Sequence, residues 1–87
     1  MENILLKLVS EGILEKGVYM AAFSLPNSNH YLVLKDGKYG VINTKGKIVV
    51  SCKYVCISPQ KNGTYKAIRR NGNYFDTDIF DSYFNYI

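Results

Sequence analysis

Two cysteines, one histidine and three clustered aspartates are the side chains of this 87-residue chain best suited to chemistry. Cys52 and Cys56 are spaced C-x3-C. A structural zinc ion takes four Cys or His ligands, and two Cys with one His do not complete that set. A disulfide between them is disfavoured if the segment is extended. Four residues of strand span about 13 Å, whereas bonded cysteines keep their Cα atoms within about 7 Å. Both thiols would then share one face, and burial as free thiols is the preferred reading. A reactive or interchain thiol is the other. His30 lies where a loop meets a strand, and acid–base work would need a partner within hydrogen-bond reach. A structural or surface histidine is expected. Asp76, Asp78 and Asp81 form D-x-D-x-x-D, which lacks the glycine and final Glu of a calcium loop. Capping of a helix is expected for them, with contact to a basic partner as a further reading. No catalytic residue, metal or cofactor is assigned, and the chain is expected not to be an enzyme.

Binding chemistry is better represented. Lys66, Arg69 and Arg70 precede an Asn71-Gly72 turn and lie near Tyr65 and Tyr74. Such basic, aromatic patches hold phosphates and stack bases in single-stranded nucleic acids. The net charge of +4 is uneven. Residues 35–70 carry nine Lys or Arg and one Asp, whereas residues 71–87 carry three Asp and no base. A basic face can steer an acidic partner. Lysines on strands and turns also guard sheet edges against aggregation.

These side chains need elements to position them. Ile4, Leu5, Leu8 and Val9 share one helical face, so residues 2–11 are expected to be a helix, with Glu2 in its first turn and Gly12 as its stop. Residues 18–24 read as a buried strand, and 25–29 as a loop. Strands are expected at 30–35 and 39–43 around Asp36-Gly37, a strong hairpin signal. Thr44 to Gly46 turns the chain into 47–51, and 53–58 is a short extended piece ending at Pro59. After a loop at 59–63, residues 64–70 and 73–77 form a last hairpin. Ile79, Phe80, Tyr83, Phe84 and Ile87 follow helical spacing, so 79–87 is expected to be a short amphipathic helix packed on the sheet, with a strand as the fallback. The runs Leu32-Val33-Leu34 and Ile48-Val49-Val50 suit strands covered on both faces.

Length limits the chain to one domain, 1–87, with a thin stability margin. Eight Tyr and four Phe against no Trp supply a small core or an aromatic binding face. Residues 1–14 lack a basic n-region, and no run approaches the roughly 20 apolar residues of a membrane span. A cytoplasmic location without membrane contact is expected. Asn, Lys, Tyr and Ile, all with A/T-rich codons, make 33 of the 87 residues and point to a bacterial or phage genome.

The run Gly37-Lys38-Tyr39-Gly40-Val41-Ile42-Asn43 resembles the WG repeat family. That family joins an apolar strand to a Gly-Lys-aromatic-Gly-apolar-Ile turn and strand, then a Lys-Gly-Lys turn, Ile-Val and a Lys-Tyr pair. Here the parts are Tyr31 to Leu34, the run just quoted, Thr44 to Lys47, Ile48-Val49 and Lys53-Tyr54, with Tyr39 in place of the usual Trp. One good copy covers about 31–54. A degraded copy at about 65–77 matches Gly72 and Tyr74 to Gly37 and Tyr39, but has Phe75 where the next glycine should stand. Repeat arrays usually need about three units, so a helix at each end would have to close this one. The resemblance implies a β-rich binding module without a catalytic role.

The expected fold is α+β, mainly β: an antiparallel meander of five to seven short strands with an N-terminal helix and a short C-terminal helix. The expected function is protein binding, for instance as a small inhibitor or adaptor encoded by a phage or mobile element and aimed at a host protein. The expected binding residues are Lys38, Tyr39, Lys47, Tyr54, Tyr65, Lys66, Arg69, Arg70 and Tyr74, held by turns at Gly37, Gly40, Gly46 and Gly72. Nucleic-acid binding is the alternative, and self-association through free sheet edges is a further expectation. A winged helix would need a third, recognition helix, for which the chain has no good candidate.

Overall fold

The computed structural model describes residues 2–26 and 28–87, so Asn27 of the expected 25–29 loop lies outside the described residues. One helix, α1 (Leu5–Ser10), precedes seven strands. These are β1 (Ala21–Ser24), β2 (His30–Lys35), β3 (Lys38–Asn43), β4 (Ile48–Tyr54), β5 (Cys56–Pro59), β6 (Tyr65–Asn71) and β7 (Tyr74–Phe80). The strands form two antiparallel sheets in sequential order, β1-β2-β3-β4 and β5-β6-β7. The expected single meander is thus split in two. The chain changes sheet at Val55, whose amide donates to the Ile68 carbonyl of β6 (2.8 Å).

Two apolar clusters explain the continuous runs. Leu32 and Val41 face the space between the sheets, with Tyr54, Tyr65, Phe80 and Phe84. Their neighbours Val33 and Ile42 face the other way, under α1, with Leu8, Leu14 and Ala22. Strands β2 and β3 are therefore covered on both faces, which abolishes alternation. Strand β4 is not: Ile48 and Val49 are exposed and only Val50 of that run is buried.

Helix α1 is shorter than the apolar spacing predicts. Asn3 Oδ1 accepts from both the Leu5 and the Ala22 amides (3.1 Å each), and the Ile4 amide donates to the Ala22 carbonyl (2.7 Å). Residues 3 and 4 thereby lie along β1 and occupy its outer edge. Glu2 precedes the helix, leaving no acidic residue in the first turn. Gly12 ends the segment at φ +77°, as a stop in the left-handed region should.

The expected C-terminal helix is absent and is corrected to strand and turn. Strand β7 runs to Phe80, pairing Tyr65 with Phe80 and Lys66 with Ile79 across β6. Asp81 Oδ1 then accepts from the Tyr83 and Asn85 amides (2.9 Å each), closing a turn with Phe84 at φ +64°. Tyr86 bridges Phe80, and the Ile87 amide donates to the Ile79 carbonyl (3.0 Å). Nine residues are too few for a self-supporting helix, and an aspartate offering its carboxylate to nearby amides favours a turn. Asp81 does cap backbone amides, but those of a turn.

Candidate functional site

The two hairpins that suggest a repeat are built differently. Asp36 and Gly37 both have positive φ (53° and 76°) and close a two-residue loop between Lys35 and Lys38, the pattern of a type I′ turn. In the second hairpin the loop is Gly72-Asn73, closed by Asn71 and Tyr74, and only Gly72 has positive φ. That is the type II′ pattern. The glycine has moved from second to first loop position, so Tyr74 stands where Lys38 does and Phe75 where Tyr39 does. Tyr39 packs half-buried against the core between the sheets, whereas Tyr74, on the same inner side of its own sheet as Tyr65 and Phe80, lies at the turn end beyond the buried residues and is 78% exposed.

Gly40 is required by packing. A Cβ there would lie 2.6 Å from the Val50 carbonyl oxygen, 2.7 Å from Cys52 Sγ and 2.9 Å from the Cys52 amide. The β3–β4 register shifts at this point, Tyr39 pairing with Tyr54 and Val41 with Val50. Residues 51–53 therefore bulge against one glycine. Gly46 meets two demands, a φ of +85° and an approach of the Ile13 carbonyl onto its Cα.

The expected binding residues are not one surface. Tyr54 and Tyr65 are buried and are corrected to core residues. Tyr54 donates to Asp78 Oδ2 (2.6 Å), and burial with this hydrogen bond pushes its phenol pKa far up. Tyr65 donates to the Pro26 carbonyl and stacks on Phe84 with ring centroids 4.6 Å apart. The basic patch is divided between two faces. In β6, Lys66 and Arg70 project to the outer side of the three-stranded sheet, while Arg69 lies on the inner side with Ala67 and Tyr65. There Arg69 meets Asp76 (3.5 Å) and Asp78 (3.3 Å). Those two aspartates thus pair with arginine and tyrosine and cap no helix. Lys38 and Lys47 are exposed beside the first two turns of the larger sheet.

The chemical candidates are likewise dispersed. Cys52 is half-buried beside Gly40, and burial raises its thiol pKa. Cys56 is exposed in the other sheet, so the shared buried face expected of the two thiols is corrected. Among the described residues no three His, Cys, Asp or Glu side chains gather as a metal would require. His30 Nδ1 lies 2.6 Å from Ser28 Oγ, and its ring meets Phe84 edge-on at 5.0 Å. Ser28 and His30 line a cleft of about 540 Å³ with Asn29, Ser82 and Tyr83.

Burial of the His30 ring lowers its pKa. The unfolded chain then binds the proton more tightly, so stability is whole above the unfolded value of about 6.5 and falls as pH drops towards the folded value. Thermal melts at pH 7.5 and 5.5 are expected to show a lower Tm at pH 5.5, and His30→Asn should shrink that difference. An unchanged difference would assign the acid sensitivity to other groups.

A concentration of exposed apolar side chains is one feature that side-chain spacing did not reveal. Tyr74, Phe75, Ile79, Tyr83, Tyr86 and Ile87 are all exposed within the last fourteen residues. The expected amphipathic helix would pack one face of 79–87 on the sheet, yet only Phe80 and Phe84 of that stretch are buried. Its richness in aromatic and β-branched residues was the available signal for strand. A second apolar feature, a groove of about 440 Å³, opens between the sheets among Phe23, Leu32, Tyr39, Val55, Cys56 and Ile57.

No curated protein and no solved structure matches the chain. Residues 39–74 match the family described as WG containing repeat, from the aromatic that follows the first hairpin turn to the aromatic that follows the second.

Proposed function

We propose that this chain is a non-catalytic protein-binding module whose contact surface is the apolar end formed by β7 and the tail. The observation that carries this reading is the exposure of Phe75 and Ile79 on one side of β7, with Tyr83, Tyr86 and Ile87 exposed in the tail that follows it and Tyr74 exposed on the other side. Concentrated apolar side chains on a small domain mark interaction surfaces, and Tyr and Phe are enriched at such interfaces. The WG repeat match agrees, since the repeat supplies scaffold glycines and aromatics rather than reacting groups. A small inhibitor or adaptor acting on a host protein in the cytoplasm is the specific form we favour, on size and on the A/T-rich residue usage. Nucleic-acid binding is less well supported, because Arg69 is engaged by two aspartates.

The test is an affinity capture from host lysate, with and without nuclease, at low and high salt. The wild-type chain is compared with Phe75→Ser/Tyr83→Ser and with Lys66→Glu/Arg70→Glu. A discrete protein retained at high salt after nuclease, and lost with the first pair of substitutions, is expected. Recovery of nucleic acid alone, lost at high salt and with the second pair, would replace this reading.

A further inference from the structure

Strand β7 is the second strand of its hairpin, as β3 is of the first, but the two differ in what lies on their far side. Strand β3 is paired on both edges, by β2 and β4. Strand β7 is paired by β6 on one edge, and on the other the tail covers only Ile79 and Phe80. Among the described residues nothing pairs with the outer edge between Tyr74 and Asp78. The hairpin register shows which groups are free there. Asn71 and Tyr74 close the two-residue loop, so residues 74, 76 and 78 direct their N–H and C=O to β6, and residues 75 and 77 direct theirs outward. The Ile79 carbonyl, next in that alternation, does face outward, for it accepts from Ile87.

A matching edge lies on the other sheet. Strand β4 pairs with β3 on one side, and among the described residues its second side has no strand partner. Val50 pairs with Val41, whose backbone groups face β4 because the β2 ladder takes those of Lys38, Gly40 and Ile42. The planar peptide that sends the Val50 carbonyl to β3 sends the Ser51 N–H outward. The side chains along this edge include exposed Ile48, Val49 and Lys53. Charge differs between them: Lys45, Lys47 and Lys53 flank or lie in β4, whereas the tail beside β7 carries Asp81 and no base, Asp76 and Asp78 being paired with Arg69 on the inner side.

We infer that a second copy of this chain adds its β4 to the free edge of β7, giving the second hairpin the third strand that β4 gives the first. This rests on reading the β7 surface as an interface and adds a second copy of the chain to what it binds. The contact joins unlike edges, so it is heterologous and leaves one β4 edge and one β7 edge free at the ends of each assembly. Exposed apolar residues beside both edges are covered by the same contact, and the β4 lysines with Asp81 favour this pairing over like edges meeting.

The purified chain alone is examined by analytical ultracentrifugation over a concentration series, at low and moderate salt. The mass is expected to rise with concentration from 9.9 kDa to at least twice that, more readily at low salt. Thr77→Pro removes an outward N–H without touching the β6 ladder, and edge strands tolerate such a proline. Ser51→Pro does the same on β4. Each variant alone is expected to stay monomeric with a wild-type circular dichroism spectrum. Mixed, they are expected to form a 1:1 dimer that grows no further, because each supplies the edge the other lacks. A mixture that stays monomeric, or a Thr77→Pro variant that associates like wild type, overturns the inference. So does a wild-type chain that is monomeric throughout. If that monomer still captures a protein lost with Phe75→Ser/Tyr83→Ser, self-association alone fails; if it captures nothing, the binding-module reading fails with it.

Discussion

Replacing Phe80 by alanine is expected to destabilise the domain by about 3–5 kcal/mol, the usual cost of truncating a buried Phe. The loss is large against what a chain of this length can hold, about 4–13 kcal/mol at 0.05–0.15 kcal/mol per residue. Phe80 sits where three structures meet. It ends β7, lies edge-on to Tyr54 of β4 with ring centroids 6.1 Å apart, and touches Phe84 (6.1 Å) and Tyr86 (4.6 Å) of the tail. It is 2% exposed, so the cavity left by truncation would open between the two sheets. Few strand hydrogen bonds join the sheets, since each is a separate meander. Apolar contact must then supply most of their cohesion, and Tyr54 and Phe80 are the largest of the fully buried side chains. Urea unfolding followed by circular dichroism should show a much lower midpoint or no cooperative transition. Tyr86→Ser is the comparison, because Tyr86 packs on Phe80 yet remains largely exposed. An aromatic pair of that kind contributes about 0.5–1.5 kcal/mol. Equal effects from the two substitutions would show that Phe80 does not join the sheets.

Elements with a local cause were legible in the sequence. Asp36-Gly37 announced its hairpin, and β2 occupies the expected residues 30–35. The double-sided burial inferred from Leu32-Val33-Leu34 holds for Leu32 and Val33, which feed different cores. What failed depended on distant pairing. The spacing of Ile79, Phe80, Tyr83, Phe84 and Ile87 fits one helical face, yet β6 offered a partner as far as Phe80 and the ladder won. Val55 looks like one more residue of an extended piece, but there the chain leaves one sheet for the other, separating Cys52 from Cys56. The basic patch failed by parity: Arg69 and Arg70 are adjacent in sequence and therefore point to opposite faces of a strand. The matched motifs Asp36-Gly37-Lys38-Tyr39 and Asn71-Gly72-Asn73-Tyr74 concealed a shift of one residue in the loop. Both aromatics face the space between the sheets, but Tyr74 lies at the turn end of β7, past the residues that would bury it. The exposed aromatics of β7 and the tail were hidden because strand pairing and position along the strand, which residue types alone do not fix, decide their exposure.

Gly40→Ala is the second large effect expected, a loss of about 1–3 kcal/mol, typical of overpacking a filled site. The reason differs from that at the turn glycines. Gly72 has positive φ but open space around it, so an added methyl there costs about 1–2 kcal/mol of backbone strain. Gly40 has no positive φ, and two of the three atoms its Cβ would strike belong to the β4 backbone. They cannot turn aside as a side chain does; β4 itself must retreat, loosening its pairing on either side of the bulge. Val50 and Tyr54 flank that bulge and both belong to the core between the sheets. The strain therefore reaches the same contacts that Phe80 closes from the other side. Removing the third atom tests this. Cys52→Ala deletes the Sγ at 2.7 Å but leaves the Val50 carbonyl and the Cys52 amide in place. In that background Gly40→Ala should recover only a minor part of its loss, as read from urea midpoints in the four-member cycle. Full recovery would place the constraint on the thiol alone, and β4 would then be free to move away from β3. Little recovery would make the close backbone approach the reason a glycine follows the aromatic in this hairpin. It would also explain why the second hairpin, whose β7 has no β4 against it, carries Asp76 at the structurally equivalent position.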